Sequence, residues 1–211
     1  QGDILYRDGS GLQRLGAGTS GQVLQTGGTG ANPSWTTMSS DVVKVASGST
    51  TTASVISFDN VFDSTYKSYK IVCSHLETST SAWWKVRWRY NGSAITASNY
   101  YWVVDGVYGT SSAQSSQIYK GWANSFAPLT YWGMGTGQVC VAEMNVGNPS
   151  TNGGLKHVHS VSAFHSNSSE QFHNDVAWFN NTISNGNIDG IEIYPTGGTI
   201  PKGEVQIYGL K

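Results

Sequence analysis

Histidine is the residue type in this chain with the clearest potential for metal chemistry. The sequence has four histidines within seventeen positions: His157, His159, His165 and His173. In a strand, His157 and His159 would share one face, and a pair of imidazoles is a common partial ligand set for Zn²⁺ or Ni²⁺. No Cys or clear carboxylate partner accompanies them. We therefore expect polar histidines on the exposed face of an edge strand, with Val158 and Phe164 on the opposite face, and no metal or other cofactor.

Carboxylates and serines suggest no catalytic arrangement. A glycosidase needs two carboxyl groups at a set separation, and Asp105, Glu170 and Asp175 lie in or beside predicted long loops without a signature that joins them. The chain also has no Gly-x-Ser-x-Gly elbow, which is typical of one large class of serine hydrolases. We therefore expect a protein that is not an enzyme.

The two cysteines, Cys73 and Cys140, each lie inside a strand-like run. One interpretation is a disulfide between neighbouring strands, and the other is two buried thiols that pack as small apolar groups. Disulfides are rare in proteins assembled in a reducing cytoplasm. We therefore favour two free thiols.

Aromatic residues are concentrated in the middle of the chain. Six of the eight Trp residues fall between positions 83 and 132, and between Thr110 and Thr136 aromatic residues alternate with Ser, Gln and Asn. Flat apolar rings among adaptable hydrogen-bonding groups are typical of recognition surfaces. We predict that a loop from Tyr100 to Trp132 exposes rings on which sugars stack. The alternative for each ring is that it packs the loop against the domain or against the next subunit. The best candidates are Trp102, Tyr119, Trp122 and Trp132.

Strand-like runs separated by turn residues continue to the end of the chain, and no helical period of useful length occurs. In Trp83 to Tyr90, the residues Trp84, Val86, Trp88 and Tyr90 share one face, which we assign to the core, and the opposite face is basic and expected to be solvated. The pattern predicts an all-β, jelly-roll-like antiparallel β-sandwich over residues 41–211. The predicted strands are Ala53 to Phe58, Ser68 to Leu76, Trp83 to Tyr90, Tyr100 to Val104, Gln138 to Val146, His157 to Phe164, Val176 to Phe179, Ile188 to Tyr194 and Glu204 to Tyr208.

Composition indicates an extracellular type of β-protein and narrows the choice of partners. Only 12% of the residues are charged, 26 are Gly, and the net charge is -1. A net charge near zero does not indicate the excess of positive charge that is typical of proteins that bind nucleic acid or an anionic membrane. The apolar runs are also too short for a membrane span or a signal peptide. We expect no nucleic-acid partner and no membrane insertion.

Residues 1–40 differ in pattern from the rest of the chain. Apolar residues there come in pairs or triplets separated by Gly, Ser, Thr or Asn, so each strand is too short to bury its own side chains. Such a segment needs identical neighbours, and we expect its apolar side chains to be buried between chains. The predicted interface residues are Ile4, Leu5, Tyr6, Leu12, Leu15, Val23, Leu24 and Trp35.

The same segment contains three short motifs in a fixed order. The order Gly2-Asp3-Ile4-Leu5-Tyr6, then Gly18-Thr19-Ser20-Gly21-Gln22-Val23-Leu24, then Pro33-Ser34-Trp35 resembles the linker that precedes C-terminal domains in bacteriophage tail fibres and related virion proteins. The run Gly203-Glu204-Val205-Gln206-Ile207-Tyr208-Gly209 resembles the end of those domains. The resemblance implies that residues 1–40 form a short intertwined β-appendage around the threefold axis of a homotrimer. It also implies a virion location after assembly in the host cytoplasm, and contacts with other virion proteins through the N-terminal region.

The function that the resemblance implies is structural. We expect a trimeric tail fibre or fibre-tip protein that binds a receptor on the host cell surface, with a glycan favoured over a protein. One alternative is a capsid-decorating or head-fibre protein that uses the same trimeric module. The alternative from another class is a polysaccharide hydrolase, although phage depolymerases tend to be long β-helical proteins. Because the chain begins at Gln1, it is expected to be either a processed product or a C-terminal fragment.

Overall fold

The computed structural model of the 211-residue chain describes residues 1–109, 114–131, 133–147, 149, 156–166, 170–180 and 188–211. For residues 108, 114, 165–166 and 170–180 only the backbone is described. The chain divides into two compact units, an N-terminal unit (Gln1–Asp41) and a sandwich unit (Val42–Lys211). The described residues contain strands and no helix, and every strand pairing is antiparallel.

The N-terminal unit consists of two small hairpins. Strands β1 (Ile4–Asp8) and β2 (Gly11–Leu15) form the first, and β3 (Gln22–Gln25) and β4 (Ser34–Thr37) form the second. The Trp35 indole N–H donates to the Gly16 carbonyl oxygen at 2.6 Å, and its ring lies where a Cβ on Gly18 would stand 2.7 Å from it. Trp35 therefore links the two hairpins within one chain, while no residue from 1 to 41 is buried.

The sandwich unit contains thirteen strands in two sheets. Their bounds are β5 (Val42–Thr50), β6 (Ile56–Phe58), β7 (Ser68–Glu77), β8 (Trp84–Tyr90), β9 (Ser93–Ala94), β10 (Tyr100–Gly109), β11 (Gln114–Asn124), β12 (Ala127–Pro128), β13 (Val139–Gly147), β14 (Lys156–Ser166), β15 (Glu170–Asn180), β16 (Gly190–Pro195) and β17 (Gly203–Leu210). One sheet has the order β11-β10-β15-β14-β13-β7-β17-β5, and the other has the order β12-β8-β16-β6 with β9 paired to β8.

The core lies between the inner faces of these sheets. Alternate residues of β7, β13 and β17 point inward from the eight-stranded sheet, and they meet β8, β16 and β6 of the five-stranded sheet. Fully buried examples are Tyr69, Ile71, Met144 and Ile207 on one side and Trp84, Trp88, Ile191 and Ile193 on the other. The all-β antiparallel sandwich that the sequence predicts is therefore confirmed. The jelly-roll assignment stays a prediction.

All nine predicted strands are present, but the pattern missed others. Strand β5 is polar at alternate positions and pairs with β17, while β11 begins with Gln114, Ser115 and Ser116 and pairs with β10. The prediction that Tyr100 to Trp132 is a loop is wrong over most of its length, because β10 and β11 form a long antiparallel pair there. Strand pairing stabilises a polar segment as a strand even where local propensity does not favour one.

Strand β8 confirms most of its predicted alternation. Trp84, Val86 and Trp88 are fully buried, whereas Tyr90 is 46% exposed and its assignment to the core is wrong. Tyr90 lies one residue beyond Arg89, the last residue of β8 that pairs with β16. It therefore has no neighbouring strand on that side to pack against.

The prediction of a solvated basic face on β8 is also wrong. Glu192 of β16 lies directly opposite Arg87, with 6% of its surface exposed. Its Oε2 accepts from Arg89 Nη1 at 2.8 Å, and its Oε1 lies 3.6 Å from Arg87 Nη1. Arg89 also pairs with Asp59 at 2.7 Å. The bonds to Asp59 and Glu192 raise the pKa of Arg89 above its ordinary value, and the bond to Asp59 has the largest effect.

Candidate functional site

A groove of about 460 Å³ lies on the outward face of the eight-stranded sheet. It extends from β11 and β10 on one side of β15 to β14 and β13 on the other side. Concave surfaces with aromatic walls and a few converging polar groups are the usual form of small-ligand sites. The described residues that line it are Tyr101, Trp102, Val103, Lys120, Gly121, Trp122, Asn145, Gly147, His157, Val158 and His159.

Trp122 forms the aromatic wall of the groove and lies at a β-bulge. The register between β10 and β11 shifts between Tyr100, which pairs with Asn124, and Trp102, which pairs with Gly121. Two residues of β11, Trp122 and Ala123, therefore lie opposite the single residue Tyr101. Ala123 adopts a φ of 54°, the left-handed region that L-residues seldom occupy. Trp122 follows Ile118 and Lys120 on the outward face by the two-residue alternation of β11. Its indole is 69% exposed, as the sequence predicts for this residue.

Trp102 takes the opposite orientation, and the prediction of an exposed stacking ring is wrong for it. It is 7% exposed and packs at 5.5 Å from the ring of Tyr131. With the Asn124 amide oriented to satisfy both of its groups, its oxygen accepts from the Trp102 indole N–H at 3.2 Å. Because successive residues of a strand alternate between faces, Tyr101 and Val103 contribute their side chains to the groove and Trp102 supports it from the core side.

Tyr119 is also directed toward the core. It is half-buried, packs against the hydrophobic core, and stacks on Tyr131 with ring centroids 4.3 Å apart and planes at 24°. Its prediction as an exposed stacking ring is therefore wrong, and its role is to support the strand that carries Trp122. The fourth predicted ring, Trp132, lies outside the described residues.

Two of the predicted histidines do meet at the groove. His157 and His159 project outward from β14 and are exposed. Strand β14 is not an edge strand as predicted, because it pairs with both β13 and β15. Asn145 is opposite His159 on β13, which adds an amide to the two imidazoles. The side chains of His165 and His173 lie outside the described residues.

The polar groups of the groove can donate and accept hydrogen bonds across an aromatic surface. Lys120 contributes an ammonium group from β11, and Asn145 with the two histidines faces it from the other side. Sequence reasoning missed Tyr101, Lys120 and Asn145. The two-residue period places Tyr101 with Val103 and Lys120 with Trp122, but only the sheet order brings β11 near β14.

Neither a metal centre nor a carboxylate pair is found among the described residues of the groove. In the described part of the chain, no three His, Cys, Asp or Glu residues form a group suited to a metal ion. Asp105 is exposed on β10, while the side chains of Glu170 and Asp175 lie outside the described residues. The arrangement is suited to holding a neutral or hydroxyl-rich ligand by stacking and hydrogen bonds.

Cys73 and Cys140 are free thiols in the core. Both are fully shielded, on the adjacent strands β7 and β13. Burial raises the pKa of the Cys73 thiol to about 12. Burial, together with the nearby Cys73, raises the pKa of Cys140 well above its ordinary value. Both thiols are therefore poor nucleophiles in the folded chain.

The N-terminal unit exposes four of its eight predicted interface residues and leaves the other four partly buried. Each side of the first hairpin carries apolar groups: Leu5 and Leu12 are 73% and 76% exposed on one side, while Ile4, Tyr6 and Leu15 are partly buried on the other. Val23 and Leu24 are 41% and 45% exposed, and Trp35 is partly buried. These side chains are available for contact with another chain.

The chain matches no protein-family model, no curated protein and no solved structure. Among the described residues, no helix has the length and apolar character required to cross a membrane.

Proposed function

We propose that this chain is a structural protein of a bacteriophage virion: a trimeric tail fibre or fibre tip whose groove binds a host surface glycan. The observation that carries the binding proposal is the Trp122 indole, 69% exposed beside Lys120, Asn145 and the outward histidines. The virion assignment rests on the resemblance of residues 2–35 to phage fibre linkers. The jelly-roll topology belongs to the same proposal.

The chemistry of the groove suits a sugar ring. The C–H face of a pyranose stacks on an indole, while amide, imidazole and ammonium groups bond the hydroxyls. An exposed Trp at the centre of such a site acts as a hot spot, and its loss costs roughly 2 kcal/mol or more, about thirtyfold in affinity. Three sites on one trimer multiply the effect on a cell surface.

The trimer is supported by the exposed leucines of the N-terminal unit. Leu5 and Leu12 alternate with Arg7 and Arg14 on the outward side of the first hairpin. A two-stranded hairpin is marginal in water, so contact with identical hairpins would stabilise it. Changing Leu5→Asp and Leu12→Asp together should dissociate the trimer to 22.6 kDa monomers, whereas Ser20→Asp at an exposed turn should leave it intact.

Binding is tested by adsorption of the purified trimer to host cells. Trp122→Ala should reduce adsorption at least about thirtyfold and lower the melting temperature by no more than about a few degrees. Tyr90→Ala is the matched control, since Tyr90 is an exposed aromatic of the five-stranded sheet outside the groove. If Trp122→Ala melts and adsorbs like the parent protein, the groove is not the receptor site.

In that case the capsid-decorating or head-fibre function becomes the better proposal. Gold labelling of intact particles separates the two, because a tail fibre gives signal along the tail and a decoration protein gives signal over the head. The polysaccharide hydrolase alternative is tested by incubating the trimer with host envelope polysaccharide and measuring new reducing ends.

A further inference from the structure

Asn124 is the last residue of β11, and the β-bulge decides which way its side chain points. Lys120 and Trp122 point outward, so an unbroken two-residue alternation would direct Asn124 outward as well. The bulge adds one residue, Ala123, before it. Asn124 is therefore turned toward the core side of the sheet, where it lies opposite the fully buried Tyr100.

The side-chain amide of Asn124 joins two residues of the groove. In its satisfied orientation, the amide oxygen accepts from the Trp102 indole N–H and from the Trp122 backbone N–H, both at 3.2 Å. A bulge disrupts the ladder of backbone hydrogen bonds locally, and here a side chain supplies an acceptor for the strand that carries Trp122. The amide thus ties the buried Trp102 ring to the backbone of the exposed one.

The residues around Asn124 are consistent with a tightly fixed amide. The Trp102 ring and the Asn124 amide fill the space beside Gly121, where a Cβ would stand 2.2 Å and 2.5 Å from them. Ala123 has a φ of 54°, and a left-handed conformation at an L-residue persists only when its surroundings hold it. The bond from Asn124 to Trp122 spans Ala123 and supports this conformation.

We propose that Asn124 is a positioning residue for the glycan site: its amide fixes the backbone of Trp122 and thereby the direction of the indole. The inference rests on the proposed function, because it concerns the ring on which the sugar stacks. Asn124 is not among the described residues that line the groove, so it acts through Trp122. A ring that is held in place before binding loses less conformational freedom when a ligand stacks on it, and the affinity is higher for that reason.

Adsorption of the purified protein to host cells measures the effect on binding. Asn124→Leu keeps the size of the side chain and removes the acceptor, and it should weaken adsorption about two- to twelvefold because the ring must then be ordered on binding. Asn124→Asp keeps an oxygen that accepts both bonds, so its adsorption should stay within about twofold of the parent. Ser116→Leu is the matched control, since it introduces the same side chain at an exposed position of β11 away from the bulge.

Fluorine NMR of protein that contains fluorotryptophan measures the orientation of Trp122 without any ligand. The Trp122 line is identified by its absence from the spectrum of Trp122→Phe. In Asn124→Leu this line should broaden or split, because the ring then takes more than one orientation. In Asn124→Asp it should match the parent line. If Asn124→Leu does not fold, Asn124→Ala, which is smaller, takes its place with the same expected results.

The two measurements together separate this inference from the proposed function. A changed Trp122 line and weakened adsorption in Asn124→Leu, both restored in Asn124→Asp, uphold the inference. An unchanged line in Asn124→Leu overturns it, and so does an Asn124→Asp variant that restores neither property. A changed line with adsorption like that of the parent, while Trp122→Ala adsorbs poorly, also overturns it. If Trp122→Ala adsorbs normally, the groove is not the receptor site, and the fluorine line alone decides whether Asn124 orients Trp122.

Discussion

The indole of Trp122 meets the phenol ring of Tyr101 edge-on, with ring centroids 6.0 Å apart and planes at 87°. The bulge at Trp122 and Ala123 sets this geometry, because it places two residues of β11 opposite Tyr101. Edge-to-face aromatic pairs are worth about 0.5–1.5 kcal/mol. Tyr101 therefore helps to hold the Trp122 ring in the orientation that shapes the groove.

Replacing this supporting ring should weaken glycan binding less than removing Trp122 itself. Tyr101→Leu keeps an apolar side chain on β10 but removes the edge-to-face contact. The expected loss is about 0.5–1.5 kcal/mol, or two- to twelvefold in adsorption to host cells at equal trimer concentration. A loss as large as that of Trp122→Ala would show that Tyr101 contacts the ligand itself.

Gly121 has a steric role beneath the groove. A Cβ there would lie 2.2 Å from the Trp102 ring and 2.5 Å from the Asn124 side-chain amide. The Trp102 ring is confined by the core, so Gly121→Ala should reduce the free energy of unfolding by about 1–3 kcal/mol. The measurement is the urea midpoint.

Gly147→Ala is the matched control, since Gly147 also lines the groove and a Cβ there meets no atom of the described residues within 4 Å. Its midpoint should shift by no more than about 0.5 kcal/mol. Equal midpoints for the two variants would show that Trp102 moves aside without cost.

The Glu192 carboxylate should contribute strongly to the stability of the sandwich. Glu192→Ala removes the partner that Arg87 and Arg89 share, and it leaves Arg89, whose side chain is 13% exposed, with Asp59. Removing one member of a buried ion pair typically costs about 3–5 kcal/mol. Denaturant unfolding measures the loss.

Asp59→Ala is the comparison, because the Asp59 side chain is 36% exposed and Glu192 remains beside Arg89 after the change. A loss nearer 1 kcal/mol is expected for it. If the two variants lose the same stability, burial of Glu192 is not what makes its ion pairs important.

Alkaline pH should destabilise the fold through its buried thiols. Cys73 has a pKa of about 12 when folded and about 8.5 when unfolded, so folding favours the neutral thiol. This contribution is fully present below about pH 8.5 and is lost as the pH rises toward the folded value. Between pH 8.5 and 10 we expect a loss of roughly 1–2 kcal/mol per thiol.

The urea midpoint from pH 7 to 10 measures this effect. Cys73→Ala should reduce the slope above pH 8.5, and the range stops before tyrosines such as Tyr69, whose pKa is raised to about 12 by burial, begin to dominate. A parent midpoint that is flat to pH 10 would contradict the prediction.

Some features of the fold could be predicted from the pattern of residues close together in the sequence. The alternation in Trp84, Val86 and Trp88 identified both the strand and its buried face, because a side-chain period of two is a property of the strand itself. The exposed leucines in residues 1–40 were likewise expected from runs too short to form a core. Strand β11 was missed because its first residues are polar and its pairing partner is β10, outside the segment.

For the candidate site as well, local sequence predicted some features and the tertiary structure decided the others. The sequence by itself determined an all-β sandwich, the positions of nine of its thirteen strands and a concentration of aromatic residues, since these follow from composition and local periodicity. Only the tertiary structure decided that Trp122 is exposed while Trp102 and Tyr119 face the core. That choice depends on the register between β10 and β11, on the space at Gly121 and on a sheet order that brings His157 and Asn145 across from Trp122. A shift of one residue in register reverses which face every side chain occupies, and register is set by contacts between strands distant in sequence.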